Sequence, residues 1–179
     1  MRGPLLSGPI GSSVVLAALA RWTSGLAPIV VLGPPWLGRV TAHEGRALVL
    51  IEKAARPLGL RTMRRSRKDG HPFDVALAGS ELPLRPGSLP AIVVENAAGL
   101  PPEDVIRWFA ALAPCLRPGG RLIALDGTPS TTAAARVAGA FLSASLMGIV
   151  QEWPREGAVL TVGIAPPALV TAARFGLPA

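Results

Sequence analysis

The residues from Glu81 to Gly127 constrain this chain more than any other stretch. They read in order as a loop, a buried strand, an amphipathic helix, a glycine turn and a second buried strand. The strands, Pro90 to Val94 and Arg121 to Leu125, are short apolar runs bounded by turn residues. Between them, Pro101 and Pro102 suit a first helical turn, and Glu103 and Asp104 complement the positive end of the helix dipole. Val105, Trp108, Phe109, Leu112 and Leu116 then form one apolar stripe. Pro118, Gly119 and Gly120 end the helix and turn the chain into the second strand. Two strands with a helix crossing between them make one βαβ unit of a parallel sheet.

The rest of the chain continues the alternation. Ser12 or Ser13 caps a helix that runs to about Trp22 and is ended by Gly25. Three further strands are expected over 28–33, 47–52 and 73–78. A short helical turn falls over 36–44 and a short helix over 53–58. A long helix spans roughly 132–147, a hairpin joins 149–153 to 158–164, and an apolar helix covers 167–175. The fold class is therefore α/β: a single Rossmann-like, doubly wound sheet, mostly parallel, of seven strands with an antiparallel edge hairpin. All 179 residues suit one domain, with 1–25 as an N-terminal helical extension, 26–165 as the core and 166–179 as a C-terminal tail.

Composition removes several alternatives. With 50% hydrophobic and only 16% charged residues the chain is not a disordered polymer. Cys115 stands alone, so no intrachain disulfide forms and a reducing compartment is favoured; its place beside Leu112 and Leu116 makes it a core thiol. His43, His71 and Cys115 are too scattered for metal-ligand spacing. Much of the net charge of +7 sits in the run from Arg61 to Lys68. That run reads as a solvated loop, with contact to nucleic acid or an acidic protein as the alternative. No aromatic residue interleaves it, which argues against a single-strand stacking platform.

Before Glu44 the chain has no acid, and Val14 to Ala20 is apolar. The run is short and meets Arg21 and Trp22 at once, so a cytoplasmic protein is expected, with export or organelle targeting as the alternative. The helix over 132–147 is apolar on nearly all sides and carries Ala140, Ala144 and Gly148 at a spacing of four. It packs closely on the sheet or forms a subunit interface. Arg136 within it opposes a membrane span.

From about Leu26 to Ala165 these elements resemble the class I S-adenosylmethionine-dependent methyltransferases. In that family a leucine-proline loop enters strand four, and a leucine-x-proline-glycine-glycine turn enters strand five. Here these are Glu81-Leu82-Pro83-Leu84 with Gly87-Ser88, and Leu116-Arg117-Pro118-Gly119-Gly120-Arg121-Leu122. The resemblance implies that S-adenosylmethionine, if the protein is active, binds through Gly33 and Gly38 in the first loop. Glu52 would take the ribose hydroxyls, with Ser80 or Glu81 near the adenine. Glu95, Asn96 and Asp126 stand at the carboxyl edge as candidates for substrate contact or a base, and equally suit caps and turns.

The cofactor half departs from that pattern. Pro34, Pro35 and Trp36 occupy the glycine-rich loop, each proline removing an N–H donor, and no acid ends the first strand. Leu89-Pro90 stands where the family commonly has phenylalanine-aspartate. The expectation is a methyltransferase-like protein with a degraded cofactor site and no cofactor. It would serve as a structural or regulatory subunit, meeting a protein partner or a second copy through 132–147. The alternative is an active methyltransferase of unknown acceptor, and a third reading is another nucleotide-binding Rossmann-like enzyme.

Overall fold

The computed structural model describes residues 13–33, 47–52, 73–78, 84–127, 129–155 and 157–167; for 47–52 and 73–78 it describes the backbone. The turn over 36–44, the helix over 53–58, the basic run 61–68 and the helix expected beyond Pro167 lie outside these residues.

The strands are β1 (Ile29–Leu32), β2 (Ala47–Glu52), β3 (Phe73–Ala78), β4 (Leu89–Glu95), β5 (Leu116–Gly127), β6 (Met147–Arg155) and β7 (Ala158–Ile164). They hydrogen-bond in the order β3-β2-β1-β4-β5-β7-β6. The sheet is mixed. Pairing is parallel from β3 through β5 and antiparallel where β7 meets β5 and β6. Both arms of the terminal hairpin join the sheet, and β6 is its outer strand.

Every residue of β1 is buried, as are all of β4 except Glu95. Such strands must be apolar on both faces, and their runs of valine and isoleucine are the sequence form of that requirement. Alternate side chains feed two separate cores. On one face, Val31, Val93, Ile123 and Leu160 meet Val15 and Leu19 of helix α1 (Ser13–Thr23). On the other, Ile92, Val94, Leu122 and Ala124 meet helices α2 (Pro102–Leu112) and α3 (Thr131–Ser143). Phe109 of α2 and Phe141 of α3 join edge to face there, with ring centroids 4.6 Å apart. Val15, Ala18 and Leu19 of the apolar run near the N-terminus are thus buried as a layer of the fold, while Val14 is exposed. No helix among the described residues is long and apolar enough to cross a membrane.

A polar network ties α1 to the far side of the sheet. Trp22 Nε1 donates to Glu152 Oε2 at 2.8 Å, and Arg21 pairs with the same carboxylate. Arg121 donates to the Trp22 carbonyl oxygen at 2.6 Å, and its guanidinium carbon lies 5.7 Å from the indole centroid.

Three boundaries differ from expectation. Helix α2 stops at Leu112, and a 3-10 turn over Ala113–Cys115, with Pro114 inside it, replaces the last expected turn. Strand β5 starts at Leu116, which pairs with Leu89, so the Pro118-Gly119-Gly120 turn lies within the strand's span. An added Cβ at Gly120 would stand 2.8 Å from the carbonyl oxygens of both Arg117 and Leu89, so only glycine fits. Helix α3 ends at Ser143, four residues early. Ser145 takes a left-handed φ of 61°, and Leu146 N donates to Phe141 O at 3.1 Å while Ser145 N donates to Leu142 O at 2.9 Å. This is a Schellman cap built without glycine. Gly148 therefore belongs to β6, and the expected stripe Ala140-Ala144-Gly148 does not exist on one helix. Cys115 is buried, as expected, and its thiol lies 3.6 Å from the Ala111 oxygen.

Two glycines give opposite predictions. A Cβ at Gly163 would lie 2.7 Å from Phe141 Cδ2, so Gly163→Ala overpacks the α3–β7 contact and costs about 1–3 kcal/mol. Gly139, on the exposed side of α3, has nothing within 4 Å, so Gly139→Ala stabilises by about 0.5–1 kcal/mol. Urea unfolding of both variants checks this pair.

The network at Glu152 sets a pH response. The Trp22 hydrogen bond, then Arg21, hold its carboxyl below the ordinary value. A depressed folded-state pKa contributes stability above the unfolded value that is lost as pH falls through the folded one. Glu152→Gln is expected to lower Tm at pH 7 and to make no difference at pH 3.

Candidate functional site

In an open α/β sheet ligands bind outside the carboxyl ends of the strands, where strand order reverses. Here that point lies between β1 and β4, whose ends meet at the register pair Leu32–Val94. Glu95 and Asn96 leave the sheet there, with Asp126 near the end of the neighbouring β5.

The three candidates do not form one cluster of equivalent groups. Ala91 and Val93 point into the α1-side core, so alternation sends Glu95 toward that face. Leu122 and Ala124 point into the α2–α3 core, and Asp126 follows them to the opposite face. Glu95 is partly buried, and burial first, then the negative charge of Asp126, pushes its carboxyl above the ordinary value.

Asn96 is exposed and adopts φ 59°, ψ 37°, the left-handed region that asparagine tolerates better than most residues. Its N–H donates to Leu125 O at 2.9 Å, and its carbonyl accepts from Gly99 N at 3.2 Å. The chain thereby turns through a 3-10 segment, Ala97–Gly99, before α2.

Asp126 is 1% exposed. Its Oδ1 accepts from Ala98 N at 2.7 Å, and Oδ2 has no hydrogen-bond partner among the described residues. Burial pushes this carboxyl up from its ordinary value, partly offset by the Ala98 N–H. The Ala98 carbonyl is held as well: Arg136 Nη2 donates to it at 2.8 Å and to Leu100 O at 3.3 Å. Asp126 thus serves as a buried anchor of the loop after β4. In the sequence Arg136 stands out only as a single charge in an otherwise apolar helix, and its hold on this loop is not visible there.

Of the cofactor candidates, Gly33 directly follows β1 and Glu52 closes β2 opposite Ala78. Gly38, Ser80 and Glu81 lie outside the described residues, as does the side chain of Glu52. The topology therefore brings Gly33, Glu95 and Asn96 to one edge. No group of three or more histidine, cysteine or acidic side chains that could hold a metal ion occurs among the described residues.

No protein-family model matches the sequence, and no curated protein matches it either. Solved structures do match. The apo S-adenosylmethionine-dependent methyltransferase SibL superposes with a TM-score of 0.67 at 13% identity, over 86% of this chain and 55% of that one. The fold is that of the class I methyltransferases.

This chain spans only about half of the SibL length. A geranyl diphosphate methyltransferase solved with S-adenosylmethionine matches with a TM-score of 0.57 at 18% identity, over 89% of this chain and 93% of that one. The [4+2]-cyclase SpnF has the same fold, with a TM-score of 0.66 at 10% identity, over 86% of this chain and 80% of that one. Across such distances the methyltransferase fold is shared, while the activity must be argued from the site.

The described residues fit S-adenosylmethionine poorly at the first strand. Where the methyltransferase pattern has an acid, β1 ends in the buried aliphatic Leu32, and the next residue is Gly33. That position offers no carboxylate to a ligand.

The turn after β4 makes a specific prediction. Asn96→Ala is expected to destabilise by about 1 kcal/mol through its left-handed backbone, whereas Asn96→Gly is expected to be neutral or slightly stabilising. Thermal unfolding of the two variants separates a conformational role for Asn96 from a side-chain role in stability.

Proposed function

We propose that this chain is a methyltransferase-fold protein whose S-adenosylmethionine site is degraded, and that it serves as a structural or regulatory subunit of an assembly. The observation that carries this reading is the end of β1. Leu32 is buried there, Gly33 follows, and the sequence continues with Pro34, Pro35 and Trp36. A cofactor loop works by bringing backbone N–H groups close to its ligand. Two prolines remove two of those donors, and a tryptophan adds bulk where glycine would leave room.

A protein partner is supported by what the outer strand leaves uncovered. Met147, Val150 and Trp153 of β6 are exposed, and Leu142, at the end of α3, is 66% exposed. These positions extend beyond the expected interface over 132–147, because Ala134, Val137, Ala140 and Phe141 of α3 are buried against the chain's own sheet. Large apolar side chains grouped at one edge favour association.

A second reading, an active S-adenosylmethionine-dependent methyltransferase, draws on the ordered turn that presents Glu95 and Asn96 at the carboxyl edge. Thermal shift with S-adenosylmethionine and S-adenosylhomocysteine separates the two. The degraded-site reading predicts no rise in Tm at millimolar cofactor. A cofactor at 100 times its Kd would stabilise by about 2.7 kcal/mol, a shift of several degrees. Such a shift, lost in Glu52→Ala, would replace the degraded-site reading with the active one.

A further inference from the structure

The loop over 96–100 is held from both sides at a single residue, Ala98. Asp126 Oδ1 takes the Ala98 N–H at 2.7 Å, and Arg136 gives a hydrogen bond to the Ala98 carbonyl at 2.8 Å. Gly99 N to Asn96 O and Leu100 N to Ala97 O, each at 3.2 Å, are local, and Asn96 N donates to Leu125 O at 2.9 Å, which ties the start of the segment to β5. Asp126 and Arg136 are its long-range side-chain anchors, across 28 and 38 residues of sequence. Both anchors also carry an orphan. Asp126 Oδ2 and Arg136 Nε are buried without a hydrogen-bond partner among the described residues.

An orphan oxygen on a buried acid makes the anchor depend on its proton. An ionised carboxylate at 1% exposure, with one oxygen unsatisfied, is far more costly than the neutral acid. The neutral acid still accepts the Ala98 N–H through Oδ1. Ionisation leaves a buried charge whose relief is hydration of Oδ2, and the turn that Oδ1 holds is a segment bonded to this carboxyl. We propose that Asp126 is the pin of a proton-dependent latch: neutral, it holds the 97–100 turn closed at the carboxyl edge, and its ionisation frees that turn while Asn96 stays tied to Leu125.

The surroundings of Asp126 favour this behaviour. From β4 the titratable neighbour is Glu95, whose own carboxyl is raised by burial and then by the negative charge of Asp126. From β7 the register partner is Val159, and the 97–99 turn brings only alanine and glycine. From α3 the charged group is Arg136, whose hydrogen bonds go to the Ala98 and Leu100 carbonyls. Burial pushes Asp126 up more than the Ala98 N–H draws it down. A raised folded-state value means that its contribution is complete below the unfolded pKa and is lost as pH rises through the folded one. The latch is thus closed below the ordinary carboxylate value and opens as pH rises through the raised folded-state one. This holds whether or not the protein retains a cofactor.

The test is amide hydrogen exchange at Ala98 and Gly99 in the full chain, followed by NMR and corrected for the intrinsic pH dependence of exchange. In wild type, protection is expected to fall at least tenfold as pH rises through the Asp126 titration, while amides of β4 and β5 stay protected. Asp126→Asn keeps the Oδ1 acceptor and cannot ionise, so its protection is expected to stay high at every pH. Arg136→Lys, which keeps the charge, is expected to retain the pH dependence with lower protection overall. Protection in wild type that does not change with pH would overturn the latch. So would an Asp126→Asn protein, folded by its far-UV spectrum, whose loop follows the wild-type pH dependence.

Discussion

Burial of β1, β4 and β5 on both faces is the constraint on which the rest of the structure depends. Strands without a solvent face cannot carry polar side chains along their length, so polar chemistry is driven to their ends. Each face must also be covered. On one side the described cover is α1, which brings Val15, Ala18 and Leu19. On the other it is the pair α2 and α3, locked through Phe109 and Phe141. The Glu152–Trp22–Arg121 network belongs to the same requirement, because it fastens α1 over β5 and the outer hairpin.

That constraint explains what could be read from the sequence. Runs such as Ile29 to Leu32 and Ala91 to Val94 have few other uses, and the glycine turn at Gly119-Gly120 is required by a positive φ of 73° and by the close approach of two carbonyl oxygens. The end of α3 was not legible, because its cap uses Ser145 in a left-handed conformation where glycine would have announced it. Asp126 read as a possible reacting group. Its actual partners, the Ala98 N–H and the loop that Arg136 also grips, are set by packing between distant segments. Pair contacts of that kind leave no periodic trace in one sequence.

The carboxyl edge divides into parts with different fates. The corner after β4 is well built: Asn96, the 97–99 turn, Asp126 and Arg136 hold one another in place. The end of β1 is aliphatic, and proline and tryptophan follow where a methyltransferase places glycine. Keeping the scaffold of that corner serves the fold as well as a ligand, since Asp126 joins β5 to the loop after β4. Retained architecture is therefore compatible with a lost cofactor. The fold itself does not decide between them, as a cyclase and methyltransferases share it.

The central claim is that the segment after β1, rather than the sheet, has lost the cofactor. Calorimetric titration of S-adenosylhomocysteine into wild type and into a variant with glycine at Pro34, Pro35 and Trp36 tests it most directly. The account predicts no heat of binding in wild type and measurable binding in the glycine variant. Micromolar binding by wild type, matched by the variant, would contradict it.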